Sequence, residues 1–106
     1  MATIENTPLI PTLVTLRAVR DEILALAEKR HAYHVRVFGS VARGEATANS
    51  DVDFLVAFRE GATLYDLAGL RLDLMELLGM SVDVVEDHAG MRERFHQRIM
   101  EDVIEL

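Results

Sequence analysis

Cysteine is absent from the 106-residue chain. That excludes a disulfide framework, a zinc-thiolate site, an iron-sulfur cluster and a cysteine nucleophile together, and it fits a reducing cytoplasm. Basic residues are also scarce: 11 Lys and Arg stand against 18 Asp and Glu, for a formal charge of −7. No excess of cations is left to neutralise a phosphate backbone, so direct nucleic-acid binding is not expected. A small polyanion held through metal is not excluded. Aromatics are few, four Phe and two Tyr, in a chain that is nevertheless 50 % hydrophobic, which points to apolar surface covered by a partner subunit. No basic residue followed by an apolar run occurs between Met1 and Ile10, which argues against a signal peptide or a spanning helix. The expectation is a soluble, cytoplasmic protein with no membrane association. The length sets one domain, residues 1–106, and a chain of this size buries roughly 60 to 70 % of its unfolded surface, enough for a core without staples.

The two prolines, Pro8 and Pro11, mark an irregular lead-in to a first helix. From Pro11 to about Arg30, Leu13, Leu16, Val19, Ile23, Leu26 and Ala27 recur at helical spacing between charged residues. His34 to Phe38 alternates and is rich in β-branched residues, a strand that runs into a turn at Gly39-Ser40. Val41 to Asn49 is small and polar, a brief helical turn followed by a loop. Asp51 to Phe58 is a second strand whose period of two places Asp51, Asp53, Leu55 and Ala57 on one face and Val52, Phe54, Val56 and Phe58 on the other. Leu64 to Leu78 gives an amphipathic helix stopped by Gly79, and Ser81 to Val85 a short third strand carrying Asp83. From about Met91, Met91, Phe95, Ile99 and Val103 recur every four residues in a last helix. The fold class is α/β (α+β), order α-β-α-β-α-β-α, with helices packed against a small mixed sheet of about three strands.

Three groups carry chemistry. Gly39-Ser40 ends a strand and opens a helical turn, where free backbone N–H groups and a hydroxyl can receive an anion; the alternative is a plain Ser N-cap. Asp51 and Asp53 share one strand face, and like charges so close repel and raise each other's pKa unless something positive lies between them. Asp83 interrupts an apolar strand, and a buried aspartate is costly unless paired or metal-bound. If the second and third strands are neighbours, three carboxylates share one sheet face. Hard oxygen ligands of that kind suit magnesium or manganese bridging to phosphates, so the site reads as two-metal phosphoryl or nucleotidyl transfer.

Gly39-Ser40, ten residues, then Asp51-x-Asp53, with Arg43-Gly44-Glu45 between and Ser50 before the first aspartate, resembles the signature of the nucleotidyltransferase superfamily that includes the polymerase-beta-like enzymes. The segment FGSVARGEATANSDVDFLVAF, followed by LYDLAGLRLDLMELLG and SVDVV, is similar to the minimal nucleotidyltransferase family in particular. The resemblance runs from about Val35 to the C-terminus. It implies a polymerase-beta-like palm core and a stand-alone antitoxin domain encoded beside a HEPN-type ribonuclease toxin. It also implies that Gly39 and Ser40 hold the nucleotide's β and γ phosphates, that Asp51 and Asp53 bind two Mg2+ ions (Mn2+ being an alternative), and that Asp83 binds the catalytic metal. Arg43 and Ser50 match motif positions as nucleotide-binding support, with Ser50 also readable as a loop tie and Arg43 as an ion pair with Glu45. The activity implied is transfer of AMP from ATP to a tyrosine of the HEPN toxin, which silences it. The length leaves no room for an acceptor-binding domain, so the acceptor must come from a partner protein. The competing expectation is a non-catalytic antitoxin that neutralises its toxin by binding alone. Transfer to a small molecule such as an aminoglycoside is disfavoured because those relatives carry an additional substrate domain.

The other polar residues read more plainly. His31, His34, His88 and His96 have no spacing shared with the carboxylates. Arg92, Arg94 and Arg98 could reach a triphosphate or an acidic partner, but exposed arginines on a terminal helix are usually solvated. Tyr33 and Tyr65 are poor candidates for self-modification, and the methionines are core or interface filler.

Overall fold

A computed structural model describes residues 10–88 and 93–106. The first helical segment is two helices, α1 (Leu13–Ala18) and α2 (Arg20–Lys29). Thr12 opens α1 through a capping box with Thr15. At Val19 the ladder breaks: its N–H turns back to the Leu16 carbonyl, and its own carbonyl starts α2 by accepting from Ile23. Leu16 and Ile23 lie seven residues apart and both are fully buried, so the break leaves the apolar stripe intact.

Strand β1 (Ala32–Phe38) follows, then the five-residue helix α3 (Gly39–Arg43), β2 (Val52–Phe58), α4 (Leu64–Leu78), β3 (Val82–Glu86), α5 (Glu93–Asp102) and β4 (Ile104–Glu105). The sheet order is β3-β2-β1-β4, with β1 antiparallel to β2 and to β4, and β2 parallel to β3. The sheet thus has four strands rather than the expected three. Val103 continues the four-residue apolar spacing of α5, which predicts helix, yet the helix ends at Asp102 and, after Val103, Ile104 and Glu105 pair with Val37 and Arg36. A two-residue strand is too short to show alternation. Pro8 of the lead-in, the expected start of the last helix at Met91, and Arg92 lie outside the described residues. Along β1 the register slips by one residue between Tyr33 and Arg36, where His34 takes a positive φ of 51°. This bulge keeps Ala32, Val35 and Val37 all in the core despite their uneven spacing.

Helices α1, α2 and α4 close the back of the sheet. Leu16, Ile23, Ala27, Leu70 and Leu74 meet Val37, Val52, Phe54 and Val56 in one cluster. A capping box of Thr63 with Asp66 starts α4, and Gly79 ends it. Arg30 crosses from α2 to α4, donating to Asp73 at 2.9 Å and passing over Gly69, where any Cβ would collide with its guanidinium.

The front of the sheet is not bare. Leu55 and Ile99 are buried but lie outside the back cluster, because α5 folds over the front of β1. Beneath α5 the buried Arg36 donates to Asp87 at 3.0 Å, and His96 stands 3.6 Å from the same carboxylate. Ile99 is the one side chain of α5 that is buried among the described residues, so it anchors the helix. Ile99→Ala should cost about 2–4 kcal/mol, read as a lower denaturant midpoint.

Candidate active site

Of the three carboxylates expected on one face, Asp53 and Asp83 are direct neighbours. Asp53 and Asp83 are Cα partners in the parallel β2–β3 ladder, and opposite residues of a ladder share a face. Asp51 lies one residue before β2 rather than within it. The parallel pairing puts the first residues of both strands at one end of the sheet. There β1 also ends, with Phe38 opposite Asp53, and α3 begins.

Asp83 departs from expectation in one respect: it is exposed, not buried. Strand β3 is the sheet's edge, and its front is left open, so the cost of burying a lone aspartate does not arise. The strained group is Asp53. Partial burial, then the neighbouring charges of Asp83 and Asp51, push its carboxyl up to about 6, against the opposing pull of the Arg43 guanidinium. Among the described residues no three such side chains converge on one point.

Gly39 makes the second half of the site. Its φ is +76°, and a Cβ there would overlap Asp53 Oδ2, so the backbone of the turn lies directly against the carboxylate. Only glycine satisfies both conditions. Phe38, not Ser40, is the N-cap of α3, and no side chain caps the helix. The Ser40 hydroxyl is thereby not consumed as a cap.

Arg43 is engaged twice, with Glu45 and with Asp102, both at 2.7 Å. The pair with Glu45 matches the sequence expectation. The tie to Asp102, which fastens the end of α5 to α3, has no local signal, because 59 residues separate the two. Ser50 is a loop tie: its hydroxyl accepts from the Thr47 N–H at 2.8 Å. His31 and His34 make ion-pair contacts away from the site. His31 meets Asp66 at 3.3 Å, His34 meets Glu105 at 2.6 Å, and neither touches the carboxylate group. Arg59 stacks on Tyr33, 4.9 Å from the ring centroid, at the opposite end of β1 from Asp53.

One supporting residue carries no signal in the sequence. Arg71 of α4 donates to the Val82 carbonyl at 2.9 Å. Because β3 is an edge strand, this bond occupies an acceptor on the residue just before Asp83.

The donor set, carboxylate oxygens with no thiolate or imidazole among them, fits a hard divalent cation such as magnesium. Burial first, and then the charges of Asp83 and Asp51, raise the Asp53 pKa, a cost that a bound cation would offset. With a close backbone turn beside it, the arrangement suits a phosphorylated ligand held partly through metal.

Comparison with known proteins agrees. The nucleotidyltransferase domain family model matches residues 16–105. A protein adenylyltransferase, MntA, of Thermococcus cleftensis is 39 % identical over 77 residues, covering 69 % of this chain and 78 % of its own. A solved structure described as a candidate minimal nucleotidyltransferase shares 49 % identity with a TM-score of 0.78, covering 90 % of this chain and 96 % of its own. A more distant chain, at 16 % identity and a TM-score of 0.62 over 84 % of this chain and 69 % of its own, shares the fold; it comes from a complex of a tri-AMPylated Shewanella oneidensis HEPN toxin with an MNT antitoxin. No helix among the described residues is long and apolar enough to cross a membrane. The chain belongs to the nucleotidyltransferase domain family, whose relatives include enzymes named protein adenylyltransferases.

Proposed function

We propose that the protein is a metal-dependent antitoxin that transfers AMP from ATP to a tyrosine of a cognate HEPN toxin. The observation that carries this reading is the contact of Gly39 with Asp53 beside Asp83, which joins a glycine turn at a strand's end to a carboxylate group. The name of the Thermococcus relative and the AMPylated toxin in the Shewanella complex supply the acceptor class.

Asp51, Asp53 and Asp83 would hold two magnesium ions, which when bound activate the attacking hydroxyl and offset charge on the leaving group. The turn at Gly39-Ser40 would bind the β and γ phosphates through backbone N–H groups and the Ser40 hydroxyl, beside Asp53. Arg43 adds positive charge on the phosphate side of the turn. The tyrosyl oxygen bonds to the α phosphorus, the bond from that phosphorus to the β-bridging oxygen breaks, and pyrophosphate departs. Asp83 takes the phenolic proton and passes it to solvent. Ser50 acts at one remove, by shaping the loop that delivers Asp51.

The test is incubation with labelled ATP, magnesium and the product of the neighbouring gene. That product should gain one or more AMP groups on tyrosine by mass spectrometry, and Asp53→Ala should abolish labelling. Labelling that survives the substitution sinks the mechanism. Toxin neutralised without any modified tyrosine, by the Asp51 and Asp53 double variant as well, would instead establish neutralisation by binding alone.

A further inference from the structure

Strand β3 is paired, among the described residues, with β2 alone, yet the peptide that leads into Asp83 is held on both sides. The Val52 N–H donates to the Ser81 carbonyl at 3.0 Å, and the Asp87 N–H to the Val56 carbonyl at 2.8 Å, at the two ends of the parallel β2–β3 ladder. Backbone groups of successive strand residues turn to opposite sides, so Ser81, Asp83, Val85 and Asp87 face β2. Val82 therefore faces the outer edge. There the Arg71 Nε–H donates to the Val82 carbonyl at 2.9 Å. That carbonyl and the Asp83 N–H belong to one planar peptide. Arg71 holds its oxygen and β2 its N–H, so the plane that carries the Asp83 Cα is clamped at both ends.

The reach is made from a fixed base. Arg71 follows Leu70 and lies one turn before Leu74, both buried in the back cluster, and the Arg30 bond to Asp73 ties the same stretch of α4 to α2. Asp83, in contrast, is exposed, so little packing fixes its side chain and its aim depends on the backbone that carries it. Asp53 needs no such prop. It sits on β2, which has a strand on either side, and its carboxylate lies against the Gly39 turn. Of the two carboxylates paired across the ladder, the one on the edge strand is the one with an arginine behind it.

We infer, resting on the proposed role of Asp83 as metal ligand and proton acceptor, that Arg71 is a positioning residue: by holding the Val82 carbonyl it fixes the peptide before Asp83 and so aims the Asp83 carboxylate. Groups that orient a metal ligand in this way tune metal affinity and activity without touching the reacting atoms. A merely structural Arg71 would do less. It would satisfy the carbonyl of a buried residue and contribute to stability alone.

Two substitutions of matched reach separate these roles. Glutamine places its amide nitrogen as many bonds from Cα as the Arg71 Nε, and can donate to the carbonyl without the charge. Methionine places a methyl group there and cannot. In the full chain, Arg71→Met should lower kcat for AMP transfer to the neighbouring gene's product by about tenfold and weaken magnesium binding, read by calorimetry, by a similar factor. The Asp83 amide should exchange its hydrogen faster, and the KM for ATP should not move. Arg71→Gln should recover most of each loss. An Arg71→Met protein that melts at a lower temperature but keeps its kcat and magnesium affinity has lost a structural bond only, and overturns the inference. So does an Arg71→Gln protein as impaired as Arg71→Met, which assigns the role to the charge, or a KM for ATP that rises in both while kcat holds, which puts the guanidinium on the nucleotide. If the unaltered chain binds magnesium without transferring AMP, and Arg71→Met still weakens that binding, the transfer reading fails and the positioning role stands. An unaltered chain that binds no magnesium overturns both.

Discussion

Gly39→Ala is expected to lower AMP transfer by about a hundredfold or more while the protein still unfolds in one cooperative step. Two effects converge on that position. Alanine at φ +76° carries the left-handed penalty of about 1–2 kcal/mol. The new methyl also meets Asp53 Oδ2, so either the turn or the carboxylate must shift. A displacement near 1 Å at a reacting centre is enough for a hundredfold loss. Gly61→Ala separates the two effects. Gly61 has φ +92° but open space where a methyl would point, so it should show the backbone penalty without the loss of transfer. Steady-state transfer and urea denaturation of both variants decide the matter. A Gly39→Ala protein within threefold of the unaltered rate would mean that the contact with Asp53 is not used.

That result would also measure how far a motif can be read before its geometry is known. Gly39, Asp53 and Asp83 are visible in the sequence because each violates its surroundings: a glycine where a strand stops, and acids among β-branched apolar residues. Strand periodicity puts Asp53 on a definite face, and the parallel ladder keeps it there beside Asp83. What is not legible depends on distance along the chain. Arg43 and Asp102 meet across 59 residues, and no local pattern names that partner. Arg71 acts through a backbone carbonyl, which leaves no trace in side-chain type. Leu55 shows the same limit on the fold. Alternation assigns it to the carboxylate face, correctly, but whether that face is open or covered depends on α5, whose packing is decided by Ile99 and by the short β4 after it. Asp83 is exposed against expectation for a related reason: an apolar strand reads the same at the centre of a sheet and at its edge, and here it is the edge.

Asp53→Asn should abolish transfer, by about a thousandfold or more given what metal activation contributes, and at the same time make the metal-free protein more stable at pH 7. The second half follows from linkage. The folded state holds the Asp53 proton more tightly than the unfolded chain does, because its pKa is raised from 3.8 to about 6. Between those values the folded state binds more protons, so stability falls as pH rises through that window, and the full cost is present above it. Asparagine has no proton to lose and carries no cost. Because Asp53 is only half-buried, solvent screening trims the gain to roughly a few degrees in Tm at pH 7, vanishing near pH 4. Magnesium should do to the unaltered protein what the substitution does, raising Tm above pH 6 and less below it, where protons compete for the same oxygens. It should do little for Asp53→Asn. Thermal melts at pH 4, 6 and 8, with and without magnesium, read all four quantities. A variant less stable than the parent at pH 8 would show that Asp53 is held by a compensating partner rather than left for a cation, and the carboxylate group would then be structural. If the expected pattern appears, the destabilised carboxylate and the transfer activity are one property of the site: the charge that costs the empty fold stability is what binds the metal.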